Sequence, residues 1–96
     1  MTICEQIEAT NGHAYRVAFK CRYRNVNTYW VESRTCVGVD VEVTDEGWFY
    51  RPPALAEDIA LALVREYETR AWLNYVRWCN ENGYEPDTAH RHVLAA

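Results

Sequence analysis

Three sets of residues in this 96-residue chain have types and spacings that could do chemistry. Arg16, Lys20, Arg22, Arg24 and Arg34, with Trp30 among them, form a basic set bearing an aromatic. Such a face can hold phosphates and stack bases. Asp40, Glu42, Asp45 and Glu46, continued by Glu57 and Asp58, form an acidic row that could present a phosphate-like array to a basic partner. Cys4, Cys21, Cys36 and Cys79, with His13, His90 and His92, are the candidate metal ligands and nucleophiles. No two of the cysteines form a C-x-x-C pair and His90-x-His92 stands alone, whereas structural zinc uses closely spaced ligand pairs. A Cys–His nucleophile pair would have to meet in space. There is no Gly-rich phosphate loop, nucleophile elbow or H-E-x-x-H. Asp45-Glu46 reads as turn chemistry. The expectation is therefore a noncatalytic protein with no cofactor and no metal.

A fourth set is apolar. Trp72, Tyr75, Val76 and Cys79 stand at i, i+3, i+4 and i+7, one continuous stripe on a helix. An exposed stripe with a Trp and a Tyr calls for cover, so it reads as a homodimer seam or as the docking surface of a partner. The chain also holds four tryptophans, and Trp, Tyr and Arg dominate interface energies.

The elements that must position these residues begin with a strand over 15–24. Tyr15, Val17, Phe19, Cys21 and Tyr23 alternate with Arg16, Ala18, Lys20, Arg22 and Arg24, the pattern of a half-buried antiparallel strand. The first set should face the core and the second should make a basic outer face. Residues 2–10 admit two readings. Thr2 with Glu5 resembles a helical capping box, but Asn11-Gly12 is a hairpin signal and favours a strand. A loop at 10–12 sets Ile7 opposite Tyr15 and Ile3 opposite Phe19, with Glu5 misplaced against Val17. After the long strand, a loop at Asn25-Val26-Asn27 would set Tyr23 opposite Tyr29, Cys21 opposite Val31 and Val17 opposite Thr35, with Arg22 beside Trp30 and Lys20 beside Glu32. From Tyr29 the alternation continues through Val31, Val37, Val39, Val41 and Val43. That run is too long for a small domain, so a bend or bulge is expected near Gly38. Asp45-Glu46-Gly47 is a tight turn, and Trp48-Phe49-Tyr50 returns as a short strand.

Pro52-Pro53 ends the sheet and opens a helix over 54–82, with Glu57 and Asp58 near its positive end and Gly83 as its cap. Leu55, Ile59, Ala60, Leu63 and Tyr67 share one side. The Trp72 stripe lies almost opposite, so the apolar face changes near Glu68-Thr69-Arg70. Either the helix breaks there and the stripe joins the core, or one helix carries two apolar faces.

Composition sets the frame. Apolar residues make up 49% and charged residues 25%, which is globular. The net charge of -4 argues against nonspecific binding to nucleic acid or anionic membrane. Bases crowd residues 13–34 and acids residues 40–58, so a dipolar molecule is expected. No apolar run is long enough to span a membrane, and no signal peptide is visible, so a cytoplasmic protein with reduced, buried thiols is expected.

The fold class this implies is α+β, a single domain over 1–96: a three- or four-stranded antiparallel meander packed on one face by a long C-terminal helix, whole or broken. Were residues 2–10 helical, the order would resemble the double-stranded-RNA-binding domain. That family's lysine-rich motif is missing, and the corresponding segment 53–58 is acidic. A sheet followed by a helix also resembles the arm-binding domains of phage integrases. In size, acidity, aromatic richness and motif-free sheet-plus-helix build, the chain resembles small phage-encoded inhibitors of bacterial defence, the anti-CRISPR proteins. That resemblance covers the whole chain and no motif carries it. It implies stoichiometric binding to a protein partner, at a basic, nucleic-acid-handling surface of a defence complex. The alternative is a nucleic-acid-binding domain using the basic face of strand 15–24.

Overall fold

The computed structural model describes residues 4–87. Five strands, β1 (Cys4–Glu8), β2 (Ala14–Tyr23), β3 (Val26–Glu32), β4 (Val39–Thr44) and β5 (Phe49–Tyr50), precede one helix, α1 (Glu57–Asn82). The strands form an antiparallel sheet in the order β1-β2-β3-β4-β5. This is the expected α+β meander, with five strands because the run from Tyr29 to Val43 supplies two of them, β3 and β4. The helix covers one face, called inner below. Among the described residues no helix lies on the other face.

The first hairpin follows the sequence closely. Ile7 stands opposite Tyr15 and Glu5 opposite Val17. Gly12 has a φ of 83°, and Asn11 caps the turn by accepting from the His13 amide and donating to the Tyr15 hydroxyl. Thr2 and Ile3 lie outside the described residues. Glu5, the misplaced acid of this strand, meets Arg70 of α1 at 3.5 Å. The same guanidinium donates to the Gln6 carbonyl at 3.0 Å and pairs with Glu66 at 2.9 Å, so Arg70 ties the helix to the edge strand.

The second hairpin departs from the expected register. Its loop is two residues, Arg24 and Asn25, with φ of 50° and 64°. Paired positive φ is the geometry that matches strand twist in the tightest hairpins. Tyr23 consequently faces Val26, not Tyr29. A bulge between Phe19 and Cys21 then shifts the ladder by one residue, so that Val17 faces Val31 and Arg16 faces Glu32. Because side chains alternate, one extra residue exchanges the two faces beyond it. Tyr15, Val17 and Phe19 point inward as expected; Cys21 and Tyr23 point outward and Arg22 inward.

The alternating run from Tyr29 to Val43 is not one bent strand. It reverses through 33–38, where Ser33 accepts the Cys36 and Thr35 amides, and β4 pairs back on β3 with Tyr29 opposite Val41. Gly38 sits in this reversal because Trp30 fills its side-chain space: a Cβ there would lie 1.7 Å from Trp30 Cζ2.

The inner face of the sheet packs Ile7, Tyr15, Val17, Tyr29, Val31, Val41 and Val43 against Leu55, Ile59, Ala60, Leu63, Val64 and Tyr67. Leu55 comes from a turn, not from the helix. Pro52 accepts the Leu55 amide, and Ala56 stays extended at ψ 142°, so α1 starts three residues later than its apolar period suggests. The helix is unbroken to Asn82, and Gly83, at φ 74°, closes it with the Tyr84 amide on the Cys79 carbonyl. At about 1.5 Å per residue it is close to 40 Å long, nearly the full 42 Å extent of the molecule. Among the described residues no helix is long and apolar enough to cross a membrane.

Gly38→Ala should cost about 1–3 kcal/mol through overpacking against Trp30. In a Trp30→Ala background the same change should cost much less. Urea denaturation of the four-member cycle measures the coupling, and additive costs would show that the indole does not set the requirement for glycine.

Candidate functional site

The outer face of the sheet is the surface left for a ligand, and its side chains follow from register. One cross-strand row runs Tyr23, Val26, Thr44, ending at Trp48 where the β4–β5 pairing is continued by one residue. The adjacent row runs Cys21, Thr28, Glu42, Tyr50. Three of these aromatics are largely in solvent: Tyr23 at 68%, Trp48 at 75% and Tyr50 at 60%. Glu42 lies between them and Glu46 projects from the adjoining turn, both exposed. The turn itself is held by the Trp48 amide on Thr44 Oγ1, at 2.9 Å.

The basic and acidic sets are interleaved, not separated. Arg16 pairs with Glu32 at 3.3 Å, Lys20 with Asp40 at 3.1 Å and Arg22 with Asp45 at 2.7 Å. Lys20 also lies 5.8 Å from the centre of the Trp30 ring. The expected neighbours, Arg22 with Trp30 and Lys20 with Glu32, are replaced because the register differs. The bulge turns Arg22 to the inner face, where it donates to the buried Asn27 as well as to Asp45. Of the basic set, Arg24 sits in the hairpin turn against Tyr23, and Arg34 lies in the 33–38 loop. The meander lays part of the acidic stretch beside the basic one, and the pairs Lys20–Asp40 and Arg22–Asp45 are where the two sets meet.

The helix stripe is partly covered by the chain's own continuation. After Gly83 the backbone returns along α1: Tyr84 stacks on Trp78, and the Asp87 amide donates to the Tyr75 hydroxyl at 3.1 Å. Cys79 is only 1% exposed, and Trp72, Tyr75 and Val76 are half-buried. The open apolar side chains of this half are Leu73, Trp78 and Tyr84. The stripe is therefore not the bare seam that a two-faced helix suggests.

Two of the thiols are also placed differently from expectation. Cys36 and Cys79 are buried, but Cys4 and Cys21 are exposed on the outer face. No group of three or more His, Cys, Asp and Glu able to hold a metal occurs among the described residues, and His90 and His92 lie outside them.

One ionisable residue that the sequence did not single out is buried in the core. Glu68, 1% exposed, accepts a hydrogen bond from the Tyr29 hydroxyl. Burial raises its carboxyl to about 7, against a partial lowering by that bond. The Tyr29 hydroxyl is itself pushed up, by burial first and then by Glu68. Perturbed carboxyls often mark catalytic sites. Here its hydrogen-bond partner belongs to the Phe19–Tyr29–Tyr67 edge-to-face column.

A folded-state carboxyl raised from 4.5 to about 7 keeps its proton longer than the unfolded chain does. Its contribution to stability is greatest below the unfolded value and is lost as pH rises to about 7, a loss on the order of 3 kcal/mol. Denaturation of Glu68→Gln across that window should show a flatter profile than the wild type and greater stability at its upper end. Parallel profiles for the two proteins would remove the assignment. Comparison of the chain with protein-family models, with curated proteins and with solved structures finds no match.

Proposed function

We propose that the protein is a small noncatalytic binding module that occupies a protein partner through the outer face of its sheet. The observation that supports this reading is the pair of cross-strand rows that leaves Tyr23, Trp48 and Tyr50 in solvent around Glu42. Large aromatics on a rigid sheet supply contact area at little entropic cost, and aromatic anchors carry most of the energy in protein interfaces. Glu42 and Glu46 among them favour a partner surface bearing Arg or Lys, which pairs with the carboxylates and lies over the rings. The likeness in build to small phage inhibitors makes that partner a nucleic-acid-handling subunit of a bacterial defence complex, met in the host cytoplasm and blocked stoichiometrically. Asp40 and Asp45 have smaller parts than Glu42 and Glu46, because Lys20 and Arg22 already neutralise them.

The same interleaving weighs against nucleic acid. Three of the five bases expected to meet phosphate face a carboxylate of the same sheet. A polyanion would have to displace those acids.

Affinity capture from phage-sensitive bacteria, with wild type and variants in parallel, tests the reading. Trp48→Ala with Tyr50→Ala should lose the specific partner, with at least a tenfold fall in affinity for the purified subunit. Glu42→Gln with Glu46→Gln should slow association at low salt and leave the melting temperature nearly unchanged. Submicromolar binding of DNA or RNA that falls steeply with salt, and is lost in Arg16→Glu with Arg24→Glu, would overturn the protein-partner reading.

A further inference from the structure

The far end of the same sheet face, away from the aromatic rows, holds an open cleft of about 470 Å³. It is lined by Gln6, Ala14, Arg16, Glu32, Ser33 and Arg34. Three cross-strand neighbours, Gln6, Arg16 and Glu32, make its floor. The first residues of the 33–38 loop make its wall. We propose that this cleft is a binding site for a single carboxylate presented by a peptide chain.

The donors line one cleft and are only partly spent. Arg34, an exposed residue of the cleft lining, makes no hydrogen bond or ion pair with its side chain among the described residues. Arg16 pairs through Nε with Glu32 at 3.3 Å and also bonds the Cys4 side chain, so only part of its five-donor fork is left for a ligand. Ser33 Oγ accepts the Cys36 amide at 3.0 Å and the Thr35 amide at 3.3 Å. Its own hydrogen is therefore left to donate, either to Thr35 Oγ1 at 3.4 Å or into the cleft. The Gln6 side chain adds an amide donor. Two guanidinium forks with a hydroxyl form a bidentate arrangement suited to a planar carboxylate.

Charge selects between anions. Two arginines against Glu32 leave the cleft with one net positive charge, which a monoanion neutralises. A phosphate dianion would be left in excess beside Glu32. A phosphate backbone would also run toward Asp40 and Glu42, farther along the face. The geometry thus favours an Asp or Glu side chain, or a C-terminal carboxylate, over a nucleic-acid phosphate. The site rests on its own residues. It stands or falls separately from the aromatic rows at the other end.

The test uses the full chain and three probes: an acetylated, amidated pentaglutamate, a peptide with a free C-terminus but no acidic side chain, and inorganic phosphate. Backbone and arginine Nε resonances are followed by NMR. Either peptide should shift the signals of Glu32 to Cys36 and of Arg16 and Arg34 at millimolar or lower concentration, and the two peptides together tell a side-chain carboxylate from a terminal one. Arg34→Ala should weaken binding at least tenfold, as loss of a charge-assisted bidentate pair does. Arg34→Lys should not restore it, because an ammonium lacks the fork. Trp48→Ala with Tyr50→Ala should leave peptide binding here unchanged, which separates this site from the docking rows. Glu32→Gln should raise phosphate affinity relative to carboxylate. Absence of shifts at residues 32–36 with both peptides would overturn the proposal. So would phosphate binding as tight as the peptides, or an Arg34→Ala variant that melts like the wild type and binds equally well.

Discussion

One extra residue in the second strand, Lys20, decides what each face of this sheet presents. Before the bulge, Tyr15, Val17 and Phe19 enter the core, and Phe19 meets Tyr29 edge to face at 5.7 Å. Beyond it the inner face becomes partly polar: Arg22, Asn27 and Asp45 form a hydrogen-bonded group beside the buried Val43. The same step moves Tyr23 and Cys21 to the outer face. The bulge thus sets a polar group among the apolar side chains of the inner face, and it completes the aromatic rows outside.

The helix packs on the apolar side chains of the inner face. Its first four turns bury Ile59, Ala60, Leu63, Val64 and Tyr67, and Arg70 then fastens it to β1. Ala71 still packs on that core, whereas the buried Cys79 is not part of it. Beyond Ala71 the helix meets the returning segment at 84–87 and makes contacts of its own, such as Trp72 with Tyr75 at 5.7 Å between ring centres. Continuity across Glu68-Thr69-Arg70 is consistent with the lack of any Gly or Pro there. Thr69 returns its hydroxyl to the Arg65 carbonyl at 2.9 Å without interrupting the helix. The change of apolar face follows from a change of cover, from sheet to chain end.

Much of this was legible in the sequence. Alternation located the strands, Asn11-Gly12 and Gly47 located turns, and Gly83 located the helix end. Leu55, Ile59, Leu63 and Tyr67 were readable as the side that meets the sheet. What could not be read has a common physical cause. A bulge leaves a strand's alternation intact in the sequence while exchanging its faces in space. Arg24-Asn25 lacks the glycine that usually announces a two-residue turn, so a longer loop and another register looked better. The valine alternation across Gly38 masks a full reversal, because both strands it joins bury the same face. Glu68 sits in a helical position like any surface acid, and only the placement of Tyr29 shows it to be interior. The interleaving of acids and bases follows from β4 lying against β3, a contact that linear charge counts do not contain.

The strand order has a kinetic meaning. Each strand pairs with its neighbour in sequence, so the sheet assembles through short loop closures whose entropic cost is small. The contacts that span the chain are those of α1 with β1 and β2, such as Arg70 with Gln6. The N-terminal strand and the C-terminal helix therefore hold one another in place across the greatest sequence separation in the fold. On a ribosome that engagement waits for the helix to emerge, long after the hairpins have had time to form. Until then the inner apolar face of the sheet is bare, and the nascent chain is most exposed to aggregation or to capture by a chaperone.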